Sequence, residues 1–214
     1  ELTKDLVKDD KGIFHSKSKT KISYPSEGNE IFMKIEDNSF WFKHRNKVIL
    51  EGVKRYSPRD LFFDVGGGNG FVSKGLQDNG VSVLLVEPGE SGALNAKQRG
   101  IDNVVCSTLA DAGFSANSLE SVGLFDVVEH IEDDFSFMKS INSFMEEGKY
   151  VYITVPAYNF LWSNEDVEAG HFRRYTTGDL KLLLEKSGFD VVYATYIFSI
   201  LPFPVYIFRT ILSR

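Results

Sequence analysis

The sequence predicts an α/β chain built on a doubly wound, mostly parallel sheet, and three observations carry that prediction. Short apolar runs alternate with helix-like stretches from Leu61 to Gly188, the pattern of parallel strands covered on both faces. A glycine-rich stretch, Gly66-Gly67-Gly68-Asn69-Gly70, directly follows the first of those runs, where the crevice of such a sheet lies. Finally, 214 residues with 43% apolar and 14% aromatic content suit one α/β domain with an appendage and a substantial core.

Residues 1–30 are rich in Lys, Asp and Ser and read as an irregular or short-strand lead-in. From Ile31 to Tyr56 apolar residues recur at roughly helical spacing, interrupted near Asp37-Asn38, which predicts two helices. Ser57-Pro58 closes them. Strand and helix then alternate: Leu61–Val65, a helix over Phe71–Gln77 broken by Asn79-Gly80, Val81–Val86, and a polar helix to Arg99-Gly100. Asn103–Cys106 and Leu119–Phe125 are further strands, followed by a helix around Asp133–Met145 and a strand over Tyr150–Val155. The last helix, Thr176–Lys186, has Thr176 or Thr177 as its cap and Gly188 as its stop. Val191–Phe208 has no charge over 18 residues, but Pro202 and Pro204 interrupt it. Two strands joined at Leu-Pro-Phe-Pro, forming an antiparallel edge pair, are expected there; attachment of this end to a membrane surface is the alternative.

Twenty-four basic against 30 acidic residues leave a net charge of −6, a surface that repels a phosphate backbone, so nucleic acid is not an expected partner. A lone cysteine, Cys106, excludes an internal disulfide and a cysteine-rich zinc site, and reads as a buried strand thiol. No signal peptide is visible, and the cytoplasm is the expected location.

The glycine spacing decides between ligands. A nicotinamide fingerprint needs G-x-G-x-x-G, but the series from Gly66 places Phe71 at the third glycine, and the series from Gly67 places Val72 there. No Gly-Lys-Ser/Thr follows, so a P-loop is excluded as well. What the stretch does match is D-x-G-x-G-x-G, as Asp64-Val65-Gly66-Gly67-Gly68-Asn69-Gly70, and with it Glu87-Pro88 at the end of the second strand. The pair resembles the cofactor motifs of class I S-adenosylmethionine-dependent methyltransferases. The resemblance runs from about residue 38: "SFWFKHRN" (39–46) is similar to an aromatic-Arg helix that covers the cofactor, and "LFDVVEHIEDD" (124–134) and "YITVPA" (152–157) to the fourth and fifth strands with their loops. "GHFRRYTTGDLKLLLEKSGF" (170–189) is similar to the H-x-R-R-Y-T helix start of a bacterial subgroup.

The resemblance implies a Rossmann-like sheet of seven strands, with residues 1–57 as an extension and helical cap and 58–214 as the cofactor-binding domain. It implies S-adenosylmethionine as cofactor. Asp64 then faces its ammonium group, Gly66, Gly68 and Gly70 bring bare backbone to it, and Glu87, beside Pro88, takes the ribose hydroxyls. Thr108 and the Leu109 backbone meet adenine, although the usual Asp after the third strand is missing from Cys106-Ser107-Thr108-Leu109. Phe125 completes the set, and Arg45 holds the methionine carboxylate or forms a surface salt bridge. Plainer readings exist beside these: Asp64 as a cap of the glycine turn, Glu87 as a helix N-cap.

On the acceptor side His171 and His130 are candidate general bases, or hydrogen-bonded structural histidines. Tyr158, Trp162, Arg173, Arg174 and Tyr175 form the acceptor-binding set; the two arginines suit an anionic acceptor, or pair with Asp166 or Glu168 as a loop clasp. Asp126, Glu129 and His130 have the spacing of the acid-x-x-Glu-His segment that binds a divalent cation in ubiquinone-type O-methyltransferases. Three ligands within five residues do not by themselves make a site, and no metal is expected. The expected activity is methyl transfer to a small molecule or an envelope or saccharide precursor. The alternative is a non-catalytic sensor or partner subunit that binds S-adenosylmethionine or S-adenosylhomocysteine.

Overall fold

A computed structural model describes residues 3, 5–17, 33, 35–56, 61–199, 204 and 206. Seven strands form one sheet: β1 (Leu6–Lys8), β2 (Ile13–Ser16), β3 (Phe62–Val65), β4 (Val83–Val86), β5 (Asn103–Cys106), β6 (Leu119–Phe125) and β7 (Met145–Thr154). Their order in space is β1-β2-β5-β4-β3-β6-β7. The pairs from β2 through β5, β4 and β3 to β6 are parallel, and β1 pairs antiparallel with β2. Every residue of β3 and β4 is buried, which is why these strands are continuous apolar runs, broken only by Asp64. Among the described residues the α-helices with defined bounds are α1 (Phe40–Tyr56), α2 (Phe71–Gln77), α3 (Glu90–Gln98), α4 (Asp134–Phe144), α5 (Asn164–Glu168) and α6 (Thr177–Lys186).

The antiparallel edge pair belongs to the N-terminal segment, not to the C-terminal one. Residues 191–199 contain no strand, and Leu201–Phe203 lie outside the described residues. The hairpin turns where Asp9 Oδ1 accepts the N–H groups of Lys11 and Ile13 at 3.0 and 2.8 Å. Ile13, 1% exposed, then anchors it among Leu85, Ala93, Ala96, Ile101 and Val104. One buried residue in a lysine-rich stretch gives no alternation to read from sequence. Among the described residues no helix is long and apolar enough to cross a membrane.

The chain divides into two compact units, residues 1–125 with 143–153 and residues 126–142 with 154–214. In the first, Ile49 and Val53 of α1 and Val72 and Leu76 of α2 pack with Phe62, Val83 and Phe125 of the sheet. In the second, α5 and α6 each begin with a capping box, Ser163 with Asp166 and Thr176 with Asp179; this is the start read for α6 from sequence.

Candidate functional site

The register of the first unit's central strands builds its site. Val65 stands abreast of Val86, so the glycine loop and Glu87 leave the carboxyl ends of neighbouring strands together. Gly66 N–H donates to Val86 O at 2.7 Å, and Glu87 N–H donates to Val105 O at 2.9 Å. Chain order reverses beside β3, with β4 on one side and β6 on the other; ligands of open α/β sheets bind at such a switch. Gly66, Gly68 and Gly70 take φ of +74°, +52° and +74°, which accounts for the alternate spacing of the motif. Gly67 is required for a different reason: a Cβ there would lie 2.8 Å from Leu85 Cδ1 and 2.9 Å from Asp64 Oδ2.

Asp64 lies beneath this turn, 1% exposed. Ser73, in the first turn of α2, donates its hydroxyl to Asp64 Oδ2 at 2.6 Å, while Oδ1 has no hydrogen-bond partner among the described residues. Burial pushes the carboxyl up to about 6, against the pull of the Ser73 hydroxyl and the Arg45 guanidinium. Arg45 itself is 8% exposed, so it is not the surface salt bridge of the plainer reading. Asn46, next to it on α1, donates to Phe71 O at 3.0 Å and fixes α1 against α2.

The raised Asp64 value has a consequence for stability. Its proton is held more tightly in the folded chain than in the unfolded one, where the value is near 3.8. Ionised Asp64 therefore costs the fold roughly 3 kcal/mol at neutral pH, a cost relieved as pH falls through about 6 and gone below about 4. Asp64→Asn removes this dependence. Urea melts at pH 4.5 and 7.5 should show the variant's stability relative to wild type rising by about 2–3 kcal/mol across the interval; a constant difference excludes a buried, ionising Asp64.

Glu87 ties the loop to the next helix. Its Oε2 accepts Gly68 N–H at 2.9 Å and its Oε1 accepts Gly89 N–H at 2.7 Å. Burial raises its pKa, opposed by these two bonds. A carboxylate offers about four acceptor positions, and the backbone occupies two. Two are left for a ligand's hydroxyls.

Other expected contacts are placed differently. Phe125, 8% exposed, stacks on Phe62 with centroids 6.3 Å apart and belongs to the apolar core. Thr108 Oγ1 donates to Asp111 Oδ2 at 2.8 Å and accepts Asp111 N–H at 3.1 Å, capping the turn after β5. The Leu109 side chain is buried beside it, and Pro88 is half-buried next to Glu87. Cys106, expected as a buried thiol, is half-buried, with its Sγ 4.0 Å from Pro88 O.

In the second unit the arginines are engaged internally. Arg174 forks Asp166, Nε to Oδ1 at 2.8 Å and Nη2 to Oδ2 at 3.0 Å, and Nη1 reaches Ala157 O at 3.1 Å. Arg173 pairs with Asp134 at 2.5 Å and donates to Glu132 O at 2.6 Å. Tyr175, 5% exposed, donates its hydroxyl to Asp134 Oδ2 at 2.8 Å, and burial raises its pKa. Of the two readings, the geometry is that of a clasp, with Asp166 rather than the exposed Glu168 as partner. Arg173, Arg174 and Tyr175, expected as acceptor-binding residues, thus each have a partner within the chain.

The clasp orients a histidine. His171 Nδ1 lies 2.9 Å from Asp166 Oδ1. Burial raises the Asp166 pKa, but hydrogen bonds from Arg174 and His171 outweigh it and the net shift is downward. The carboxylate only accepts, so Nδ1 carries a proton, and Nε2 is the ring nitrogen turned away from Asp166. The His130 ring stands 4.7 Å away at 76°. Burial, and then the neighbouring His171, push His130 down to about 4, so it is a neutral imidazole at pH 7 and too weakly basic for efficient proton abstraction there. Glu129 is fully buried beside the pair. Asp126 is not brought into the cluster. Its Oδ1 accepts the Thr154 hydroxyl at 2.9 Å, and the residue holds a φ of +59°. Tyr158 stacks on Tyr196 at 4.9 Å, and Trp162 is 39% exposed.

Two functional partners carry no sequence signal of their own. Ser73 is an ordinary helix serine, legible only through its position nine residues after Asp64. Asp134 meets Arg173 and Tyr175 across about 40 residues of chain.

Comparison with known proteins agrees with this architecture. None of the curated proteins matches the sequence. Among solved structures, phosphoethanolamine N-methyltransferase 2 of Haemonchus contortus, solved with S-adenosyl-L-methionine, is 21% identical over 78% of this chain and 42% of its own, with a TM-score of 0.62. A SAM-dependent methyltransferase of Archaeoglobus fulgidus is 22% identical over 71% of this chain and 75% of its own, with a TM-score of 0.56. Another, from Thermotoga maritima, is 22% identical over 76% and 81%, with a TM-score of 0.58. These share the fold. A family model described as a methyltransferase domain matches residues 41–194, from the start of α1 past α6 and through both the glycine loop and the clasp: the chain belongs to the methyltransferase domain family.

Proposed function

We propose that the first unit binds S-adenosylmethionine and that the chain transfers a methyl group from it to a small-molecule acceptor. The observation that carries this reading is Glu87, whose two oxygens hold the N–H groups of Gly68 and Gly89 and retain acceptor capacity for the two hydroxyls of a ribose. The unsatisfied, buried Asp64 Oδ1 beneath the loop is the acceptor for an ammonium group, and Arg45 the partner for a carboxylate. Gly66, Gly68 and Gly70 offer backbone to the same ligand, Pro88 lies along it, and Thr108 and the Leu109 backbone are assigned to adenine. When bound, the cofactor supplies an electrophilic methyl group. Such transfer asks of a protein chiefly positioning and exclusion of water, with a partner for the proton the acceptor loses.

The acceptor side is assigned to the second unit. His171 meets the acceptor's hydroxyl or amine through Nε2, and Tyr158 and Trp162 offer aromatic surface. The clasp orients His171 rather than binding an anion. The acceptor class is a small molecule or an envelope or saccharide precursor. The solved structures that share the fold include a small-molecule N-methyltransferase, which supports catalysis over the sensor reading.

S-adenosylhomocysteine at a hundredfold excess over its dissociation constant should stabilise the protein by about 2.7 kcal/mol, with NAD giving no shift. In the same series Glu87→Ala should weaken calorimetric binding by roughly 1.5–3 kcal/mol through the loss of charge-assisted bonds. A response to NAD alone, or wild-type affinity in the variant, overturns the assignment.

A further inference from the structure

The second unit holds a cluster that the cofactor reading leaves unused. One ligand atom each from Glu129, His130 and His171 lie within 4.8 Å of one another. We propose that these three residues bind a divalent transition cation of the zinc class. The role of such an ion in catalysis rests on the methyltransferase reading; its binding does not.

Four features of the cluster carry the inference. First, the donors are two imidazoles and a carboxylate, the set that suits zinc and its first-row neighbours, whereas magnesium takes all-oxygen shells. Second, one ligand is held from behind in the way of metal-bound histidines. Asp166 Oδ1 fixes the proton on His171 Nδ1 at 2.9 Å, and Arg174 fixes Asp166 through its fork. Third, the two stretches that carry the ligands are pinned to each other by backbone: Phe172 N–H donates to Glu129 O at 2.8 Å, and His171 N–H to Asp166 O at 2.9 Å. Fourth, Glu129 is 0% exposed with its carboxylate beside two imidazoles. A cation bound there offsets the cost of burying the carboxylate.

Asp126, the residue that sequence spacing adds to this set, is not one of the three whose ligand atoms lie within 4.8 Å of one another; its Oδ1 accepts the Thr154 hydroxyl, and His171 takes the third place. The ligand atoms lie within 4.8 Å of one another, against an edge of roughly 3.3 Å in a tetrahedral zinc site. Three protein ligands leave a fourth position open, the arrangement of catalytic rather than structural zinc.

The test uses the whole chain and the metals alone. Cobalt(II) and zinc should bind with one ion per chain by calorimetry, cobalt giving the visible absorption of a tetrahedral site, and magnesium should not compete at tenfold higher concentration. His130→Ala, His171→Ala and Glu129→Gln should each weaken binding tenfold or more. Asp126→Asn and Cys106→Ser should leave it unchanged, the latter excluding an adventitious thiol site. Where a ligand variant does not fold, NMR of cobalt-loaded wild type replaces it: paramagnetically shifted ring protons should number two histidines. Absence of stoichiometric binding, binding that survives all three ligand changes, or loss of binding on Asp126→Asn overturns the proposal. S-adenosylhomocysteine binding, measured on the same samples, reports on the methyltransferase reading independently.

Discussion

Arg174→Ala is expected to destabilise the protein by about 3 kcal/mol, the lower end of the range for breaking a buried ion pair. The reason is what remains. Asp166 is 1% exposed, and its two oxygens receive the Arg174 fork, the His171 ring and the Ser163 backbone N–H. Without the guanidinium a buried carboxylate keeps only part of its compensation. Arg174→Lys should recover less than half of the loss, because an ammonium supplies charge without the fork and does not reach Ala157 O in the same plane. Asp166 titrates below its ordinary value in the folded chain, so the clasp's contribution is complete above pH 4 and declines as pH falls further. Urea denaturation at pH 7 and pH 3 measures both effects. A variant as stable as wild type at pH 7 means that the fork contributes nothing.

What the sequence revealed of the fold follows from how local its cause is. The ends of α2, β5 and β6 coincide with the boundaries read from sequence, since each is an apolar or periodic run closed by glycine or a polar turn. β7 begins at Met145, five residues before the expected Tyr150, because Glu146, Glu147, Gly148 and Lys149 are exposed and polar and read as a loop. The N-terminal hairpin was legible only as an irregular or short-strand lead-in. It is held by sheet pairing and by Ile13, and neither leaves a periodic trace.

The site divides along the same line. Asp64, the four glycines and Glu87 act through backbone geometry within 25 residues, so spacing alone picked them out. The second unit's residues were legible as a group but not in their roles. Whether Arg174 meets an acceptor or Asp166 depends on a capping box that buries Asp166 at the third position of α5 and leaves Glu168 exposed. Phe125 illustrates the limit from the other side: its stack on Phe62 in the apolar core leaves no trace in the spacing.

His171→Ala is expected to depress methyl transfer by roughly 10²-fold or more while S-adenosylhomocysteine affinity stays within a factor of a few. The affinity is spared because the cofactor is assigned to Arg45, Asp64, Glu87 and the glycines, and His171 has no part in that set. The transfer step is not spared: an imidazole oriented by Asp166, as base through Nε2 or, with a cation bound there, as that cation's ligand, acts chiefly in the transition state, so the loss falls on kcat as much as on kcat/KM. Stability separates this from a purely structural role. His171 contributes one of the contacts to Asp166, and Arg174 keeps the fork when the ring is removed, so the melting loss should be well below that of Arg174→Ala. His171→Gln, with an amide N–H to give Asp166, should restore melting temperature without restoring turnover. Recovery of both together would make the ring a strut of the clasp, with no part in the transfer.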